Sequence, residues 1–246
     1  MTANRAQRVC GLALGLMLTA AQSAGAQEQW RFGMGTGLSA LSLDGDIGFE
    51  TTGGTLIASV DLDNSDTSDM IESGFGVAGF AAKGKWKILY GLGSATLEDS
   101  DAGITAKWDR TQVELATVYS FAKTGNHRWG ALFGVRRVDH EWKISAVMES
   151  INIDESWADA LIGATHTLPV TEKLSWSTRL DGGFGNSEGT VHLATGLDWR
   201  VGQHWAFNIK AKLTDIEFEN GNPGDSDYYL YEVEETTLGI GFAYIF

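Results

Sequence analysis

The sequence predicts an all-β fold: a transmembrane antiparallel up-and-down β-barrel of about ten strands, with eight or twelve as the alternatives. Three observations carry this expectation. The chain ends on Leu238, Ile240, Phe242, Tyr244 and Phe246 at every second position, with the mostly small Thr237, Gly239, Gly241, Ala243 and Ile245 between them. A strand has a side-chain period of two, so one face is large and apolar and the other narrow. Secondly, 43% of residues are hydrophobic, yet after residue 26 no apolar run reaches the roughly 18 residues a transmembrane helix needs. Thirdly, the chain holds 31 Gly and 9 Trp but only 2 Pro, and Pro169 and Pro223 both fall at expected connections, as the missing ladder donor of proline requires.

Residues 1–26 read as a signal peptide and 27–246 as the barrel. Arg5 and Arg8 give a positive start, an apolar run surrounds Leu12, Leu14, Leu16 and Leu18, and Ala24-Gly25-Ala26 offers a small-x-small cleavage site. Cleavage would remove Cys10, the only cysteine, and with it disulfide and thiolate chemistry. It would also remove two arginines, leaving 16 basic against 32 acidic residues and taking the formal charge from −14 to −16. A chain so acidic is not expected to bind nucleic acid through phosphates.

In order, a first strand is expected over 29–43, with Trp30 and Phe32 as girdle aromatics, followed by a long acidic excursion over 44–71. Strands over 72–82 and 86–97 meet at Lys83-Gly84-Lys85, and those over 108–122 and 128–142 meet at residues 123–126. Strands over 156–168 and 174–184 join through 169–173, strands over 189–201 and 204–218 join at Gly202-Gln203, and the last strand follows a loop over 219–227. With both termini in the periplasm the strand number is even, and short turns lie inside while longer loops lie outside. Counting back from Phe246 gives ten. An additional hairpin over 49–62 would make twelve, and one misread pair would make eight.

Alternation also separates two faces. Outward positions include Ile88, Tyr90, Leu92, Val113, Leu115, Phe133, Val135, Trp176, Leu180, Phe207 and Ile209. The lumen face carries Glu114, Arg136, Arg179, Asp181, Asp198, Arg200, Lys210 and Lys212, together with Lys87, Asp159 and His192. Charges of both signs confined in a narrow lumen must pair to offset their burial. Arg179 and Lys210 are expected to pair with Asp181, Asp198 or Glu114. The resulting picture is a salt-bridged filling, because a barrel of eight to ten strands is largely filled by side chains.

The closing stripe from Leu238 to Phe246 resembles the C-terminal signature of bacterial outer-membrane barrels, which implies recognition by the barrel-assembly machinery. With Trp157-Ala158-Asp159, Asp181-Gly182-Gly183-Phe184-Gly185 and Gly196-Leu197-Asp198-Trp199-Arg200, the chain is similar to the small proteobacterial outer-membrane β-barrel proteins of the broad OmpA-like and OmpW-like superfamily. The resemblance implies location in the cell outer membrane of a Gram-negative bacterium. In that membrane the chain is expected to contact outer-membrane lipid and lipopolysaccharide, to be a monomer by default, and to carry no cofactor. It carries over no catalytic residue.

Two local patterns invite sharper readings. Asp139-His140 pairs an acid with an imidazole, as a general base requires, but neighbours on a strand point to opposite faces, and His166 and His192 have no serine at a telling spacing. No enzymatic activity is expected. Asp61, Asp63, Asp69 and Glu72 are candidate metal ligands, since acids or hydroxyls fall at positions one, three, five, nine and twelve of a calcium loop. Asp66 replaces the turn glycine at position six, and Glu72 opens a strand where a helix is needed, so a solvated acidic loop is the expected form. The leading expectation is a structural barrel or a passive, porin-like conduit for small solutes with a narrow, charge-lined lumen. The second is surface recognition or adhesion through the acidic outer loops, and the third a barrel enzyme.

Overall fold

A computed structural model of the protein describes residues 29–101, 104–145 and 150–246; the expected signal peptide lies outside them. Eleven strands and one short helix follow in order: β1 (Arg31–Thr51), β2 (Gly54–Leu62), α1 (Asn64–Met70), β3 (Ile71–Lys83), β4 (Trp86–Asp101), β5 (Ile104–Thr124), β6 (His127–Ser145), β7 (Ser150–Pro169), β8 (Leu174–Gly185), β9 (Gly189–Val201), β10 (Trp205–Asn220) and β11 (Tyr229–Ile245). Each strand from β3 to β11 pairs antiparallel with the next, β1 pairs with both β3 and β11, and the sheet closes into a barrel of ten strands. β2 is an eleventh strand that leans only on the outer end of β1.

The registers fix the stagger of the barrel. Following hydrogen-bonded partners from Arg31 through Ala82, Lys87, Val118, Leu132, Gly163, Asp181, His192, Thr214 and Glu235 returns to β1 at Leu43. The path gains 43 − 31 = 12 positions in one circuit. Such a shear tilts the strands by about 35–45° and brings side chains from distant sequence positions to one level of the lumen. At the tight turns, Gly84, Gly125 and Gly202 have φ of 59°, 59° and 69°, a left-handed conformation that a Cβ disfavours. This is the periplasmic end in barrels of this kind. Lys83, Lys85, Lys123 and Arg128 flank these turns, and Lys173 lies in the β7–β8 connection at the same end.

Most strands are much longer than the roughly 9–11 residues that cross a bilayer, and their polarity reverses along their length. On β11, Leu238, Ile240, Phe242 and Tyr244 face outward and are 51, 56, 46 and 37% exposed. Farther up the same face come Thr236, Glu234 and Glu232, while Tyr229, Tyr231 and Val233 turn inward and are fully buried. β10 changes in step, from outward Phe207 and Ile209 to outward Asp215 and Glu217 over inward Ile216 and Phe218. The lower half therefore meets lipid with an apolar belt. The upper half is built like a water-soluble barrel, polar outside and apolar within.

Its core joins Leu41, Leu43, Ile47, Phe49, Leu97, Trp108, Val138, Trp157, Ile216, Phe218, Tyr229, Tyr231 and Val233. Trp157 stacks on Phe218 with ring centroids 4.5 Å apart, and Trp108 stacks on Trp142 at 5.2 Å. Each fully buried Leu, Ile or Phe contributes about 1.5–3 kcal/mol of transfer free energy. A second, smaller cluster of Phe80, Leu89, Val118, Leu132, Leu161 and Ile245 lines the end with the tight turns.

The structure corrects three expectations. The excursion over 44–71 is not a loop: β1 continues to Thr51, turns back as β2 and passes into α1. The hairpin does not raise the count to twelve, because β2 pairs with β1 above the belt and never enters the barrel. The stretches 98–107 and 143–155, expected as connections, belong largely to β4, β5, β6 and β7; their outward faces are polar because they clear the bilayer.

α1 occupies a break in the wall. β1 and β3 share a ladder only from Arg31–Ala82 to Gly35–Ala78, and β2 takes up the β1 edge at Leu43. Between Thr36 and Ser42 that edge pairs with no strand among the described residues. Side chains satisfy part of it: Thr36 Oγ1 donates to the Gly76 carbonyl at 2.6 Å, and the buried Thr67 of α1 donates its hydroxyl to the Leu41 carbonyl. α1 is itself held by a capping box, in which the Asp63 carboxylate accepts from the Ser65 and Asp66 amides at 2.6 and 3.0 Å. These bonds favour the ionised carboxylate and keep the Asp63 pKa below its usual value.

Candidate functional site

Period-two alternation on a closed barrel collects the lumen charges into one column, and the shear decides which of them meet. Glu114 of β5, Arg136 of β6, and Arg179 and Asp181 of β8 form a lattice across the lumen, all at most 6% exposed. Arg136 reaches Glu114 Oε2 at 2.9 Å and Asp181 Oδ1 at 3.4 Å. Arg179 reaches Glu114 Oε1 at 2.7 Å and Asp181 Oδ2 at 2.5 Å. Each acid thus holds two guanidiniums and each guanidinium two acids, the arrangement that best offsets desolvation of four buried charges. His192 adds Nδ1 to Asp181 Oδ2 at 2.9 Å.

Above the lattice, Arg110 and Glu235 form a fully buried ion pair, and Tyr231 donates to Glu235 Oε1 at 2.9 Å. Neither residue stands out by sequence reading, because both lie where the strands reverse polarity. Their only signal is parity: Arg110 shares the face of Glu114, and Glu235 that of Thr237. Lys212 lies between this pair and the lattice, within electrostatic reach of Glu235, Arg110, Arg136 and Glu114. Below, Lys210 Nζ meets Asp198 Oδ1 at 3.3 Å while Ser177 donates to Asp198 Oδ2 at 2.7 Å. Arg200, nearest the turns, donates to the Glu172 carbonyl at 3.2 Å.

The remaining candidates scatter. Asp139 faces outward and is clamped by Arg137 at 2.6 Å, whereas His140 is buried in the upper core between Trp108, Trp157 and Tyr231. They share no dyad, and His140 Nδ1 bonds instead to the Tyr229 hydroxyl at 2.9 Å. His166 lies against His127 and Trp129 near the turns. Of the four candidate metal ligands, Asp63 caps α1, Glu72 pairs with Lys107 at 2.7 Å, and Asp61 stands on β2 opposite Asp44. With Asp69 they do not converge, and no metal-holding group of acids, His or Cys occurs among the described residues.

The closing stripe lies on the lipid face of β11. The strand pairs with β10 on one side and β1 on the other, and the Phe246 amide donates to the Phe32 carbonyl at 2.9 Å to finish the seam. Trp30, Trp86, Trp129, Trp176, Trp199, Trp205 and Tyr244 form an exposed aromatic girdle near the same end, the position such side chains favour at a membrane interface.

Among solved structures the chain is similar to the outer membrane protease OmpT of Escherichia coli, with 8% identity, a TM-score of 0.60, and 92% of this chain and 99% of that one covered. Ail, the attachment invasion locus protein of Yersinia pestis, matches at 10% identity and TM-score 0.43 over 89% of this chain and 99% of Ail. A major outer membrane protein of Thermus thermophilus matches at 17% and 0.40, over 89% and 100%. At these identities the likeness to OmpT speaks for the fold alone. No curated protein matches significantly. The model of the family described as outer membrane protein beta-barrel domain matches residues 10–246; with its closed barrel, apolar belt and aromatic girdle, the chain belongs to that family and is an outer-membrane β-barrel protein.

Proposed function

We propose that this protein is a sealed structural barrel whose working surface is the polar half standing outside the bilayer. The observation that supports this reading is the packed upper core: Trp108, Trp157, Phe218, Tyr229 and Tyr231 fill the lumen above the charge lattice at 0–5% exposure. Water and solutes have little space in a cross-section filled by stacked aromatics. The core gives the upper half a rigidity that a conduit does not need and a presented surface does. That surface is acidic: Asp44, Glu234 and Asp215 align in one cross-strand row, and Asp46, Glu232 and Glu217 in the next. Lipopolysaccharide, bridged to these carboxylates by divalent cations, is the proposed neighbour of this wall, and the barrel-assembly machinery the proposed reader of the closing strand.

The test is conductance. The purified protein, refolded and inserted into a planar bilayer, is expected to give no sustained ohmic steps. Reproducible steps of constant size, scaling with salt concentration, would overturn the sealed barrel and restore the conduit.

A further inference from the structure

Below the Arg110–Glu235 pair, the charges of the lumen form two groups of different character. In the lattice, each acid is matched to two guanidiniums. Nearer the turns four cations from four strands, Arg31 of β1, Lys87 of β4, Arg200 of β9 and Lys210 of β10, accompany one acid, Asp198. Arg31 and Lys87 flank Ala82 in one hydrogen-bonded row. Lys87 lies within electrostatic reach of Asp198, Lys210 and Arg31, and Arg31 within reach of Arg200. Asp198 is engaged by Lys210, and no carboxylate stands within ion-pair distance of Lys87 among the described residues; its ammonium lies 5.1 Å from the centre of the Phe80 ring.

A second, independent observation comes from neutral groups. Asn208 is 3% exposed and Ser175 0% exposed, and neither Asn208 Oδ1, Asn208 Nδ2 nor Ser175 Oγ has a hydrogen-bond partner. They share a row with Asp198: Ser175, Asp198, Asn208, Gly241 and Gly37 succeed one another across β8, β9, β10, β11 and β1. The row ends in two glycines, and a Cβ at Gly241 would lie only 3.0 Å from either polar atom of Asn208. Buried amides and hydroxyls without partners cost free energy, so their convergence on a side-chain-free wall beneath an excess of cations describes a cradle for something that accepts hydrogen bonds and carries negative charge.

We propose that the periplasmic end of the lumen is a blind vestibule that binds a small oxyanion, with Lys87 and Lys210 as its charged donors, Asn208 and Ser175 as its neutral donors, and Arg31 and Arg200 at its mouth. Arg31, Lys87 and Arg200 are each partly exposed, so solvent reaches the vestibule from the turn end, while the lattice closes it above. Confinement between low-dielectric walls focuses the field of like charges and raises the local anion concentration. The lysines and Arg128 beside the turns extend the same positive field, although the chain as a whole is strongly acidic.

The test uses the full chain refolded in lipid-free detergent micelles, with folding verified by heat-modifiable migration. Inorganic phosphate is titrated calorimetrically at constant ionic strength in chloride. Saturable one-to-one binding is expected. It should weaken at least tenfold in Lys87→Gln and in Asn208→Leu, hold within a few-fold in Lys87→Arg, and be unchanged in Lys143→Gln on the outer surface. A parallel titration with phosphatidylglycerol in mixed micelles separates a free anion from a lipid headgroup: binding of the lipid without binding of inorganic phosphate overturns the proposal. So does a folded wild-type protein that binds no phosphate, or a Lys87→Gln protein that binds it as well as wild type.

Discussion

Replacing Arg179 by Leu removes the guanidinium that bridges Glu114 at 2.7 Å and Asp181 at 2.5 Å. Two acids and two guanidiniums then become two acids and one, and a buried negative charge is left uncompensated. Breaking a buried pair from one side costs about 3–5 kcal/mol. The geometry selects the lower end, because Arg136 already touches both acids at 2.9 and 3.4 Å and His192 contacts Asp181 at 2.9 Å. A loss of about 3 kcal/mol is therefore expected, read as a lower urea midpoint with an unchanged slope. The mechanism makes a stronger demand on the double variant. Arg179→Leu with Glu114→Gln removes one charge of each sign, so it should be more stable than Arg179→Leu alone despite carrying one more substitution. Urea unfolding in micelles or bilayers, followed by tryptophan fluorescence, measures both. A double variant as unstable as the sum of its singles would refute the argument from charge balance, and an unchanged single would refute the lattice.

Three further outcomes test other parts of the molecule. Trp157→Ala removes an indole that is 2% exposed and stacked on Phe218; it should cost about 3–5 kcal/mol in the same unfolding assay, and a loss below about 1 kcal/mol would mean the outer half has no packed core. The bonds that lower the Asp63 pKa act on the ionised form, so their stabilisation of α1 is fully present above the ordinary aspartate pKa and is lost as pH falls through the lowered value. Amide exchange at Ser65 and Asp66, corrected for intrinsic rates, should stay protected at pH 4 and lose protection only in stronger acid; Asp63→Ala should abolish that protection at every pH. Deleting Phe246 removes the amide that donates to the Phe32 carbonyl and the last member of the outward stripe, and should lower the heat-modifiable fraction in outer-membrane preparations, an outcome contradicted by equal yields.

The lower barrel is legible in the sequence because lipid imposes one rule: large apolar residues outward at period two, small or charged residues between them. That rule locates the tight turns, the girdle and the strand number, and assigns Glu114, Arg136, Arg179 and Asp181 to one face. It fails above the bilayer, where the period persists with its phase reversed. On β7, Ile151 and Ile153 are then the inward residues and Asn152 and Asp154 the outward ones, and a polar outward face without a lipid stripe reads as a connection. α1 is hidden for another reason. Its seven residues, Asn-Ser-Asp-Thr-Ser-Asp-Met, carry no apolar stripe; the cap at Asp63 and side-chain bonds to β1 through Leu41 and Ser42 hold them in place. The partners inside the lumen depend on the shear, which no local stretch of sequence encodes.

The interrupted ladder between β1 and β3 gives the wall a mechanical weak line. Elsewhere each stave is zipped to its neighbours, so bending or widening the cylinder would stretch many backbone bonds together. Here Thr36, Thr67 and the capping box of α1 carry the load across the joint. A bilayer thinner or thicker than the belt imposes a strain that the protein and its lipids must share, and the compliant joint takes the protein's share first. α1 sits at that joint, so a change in the width of the gap between β1 and β3 would fall first on the Thr67 contact with Leu41 and on the cap at Asp63.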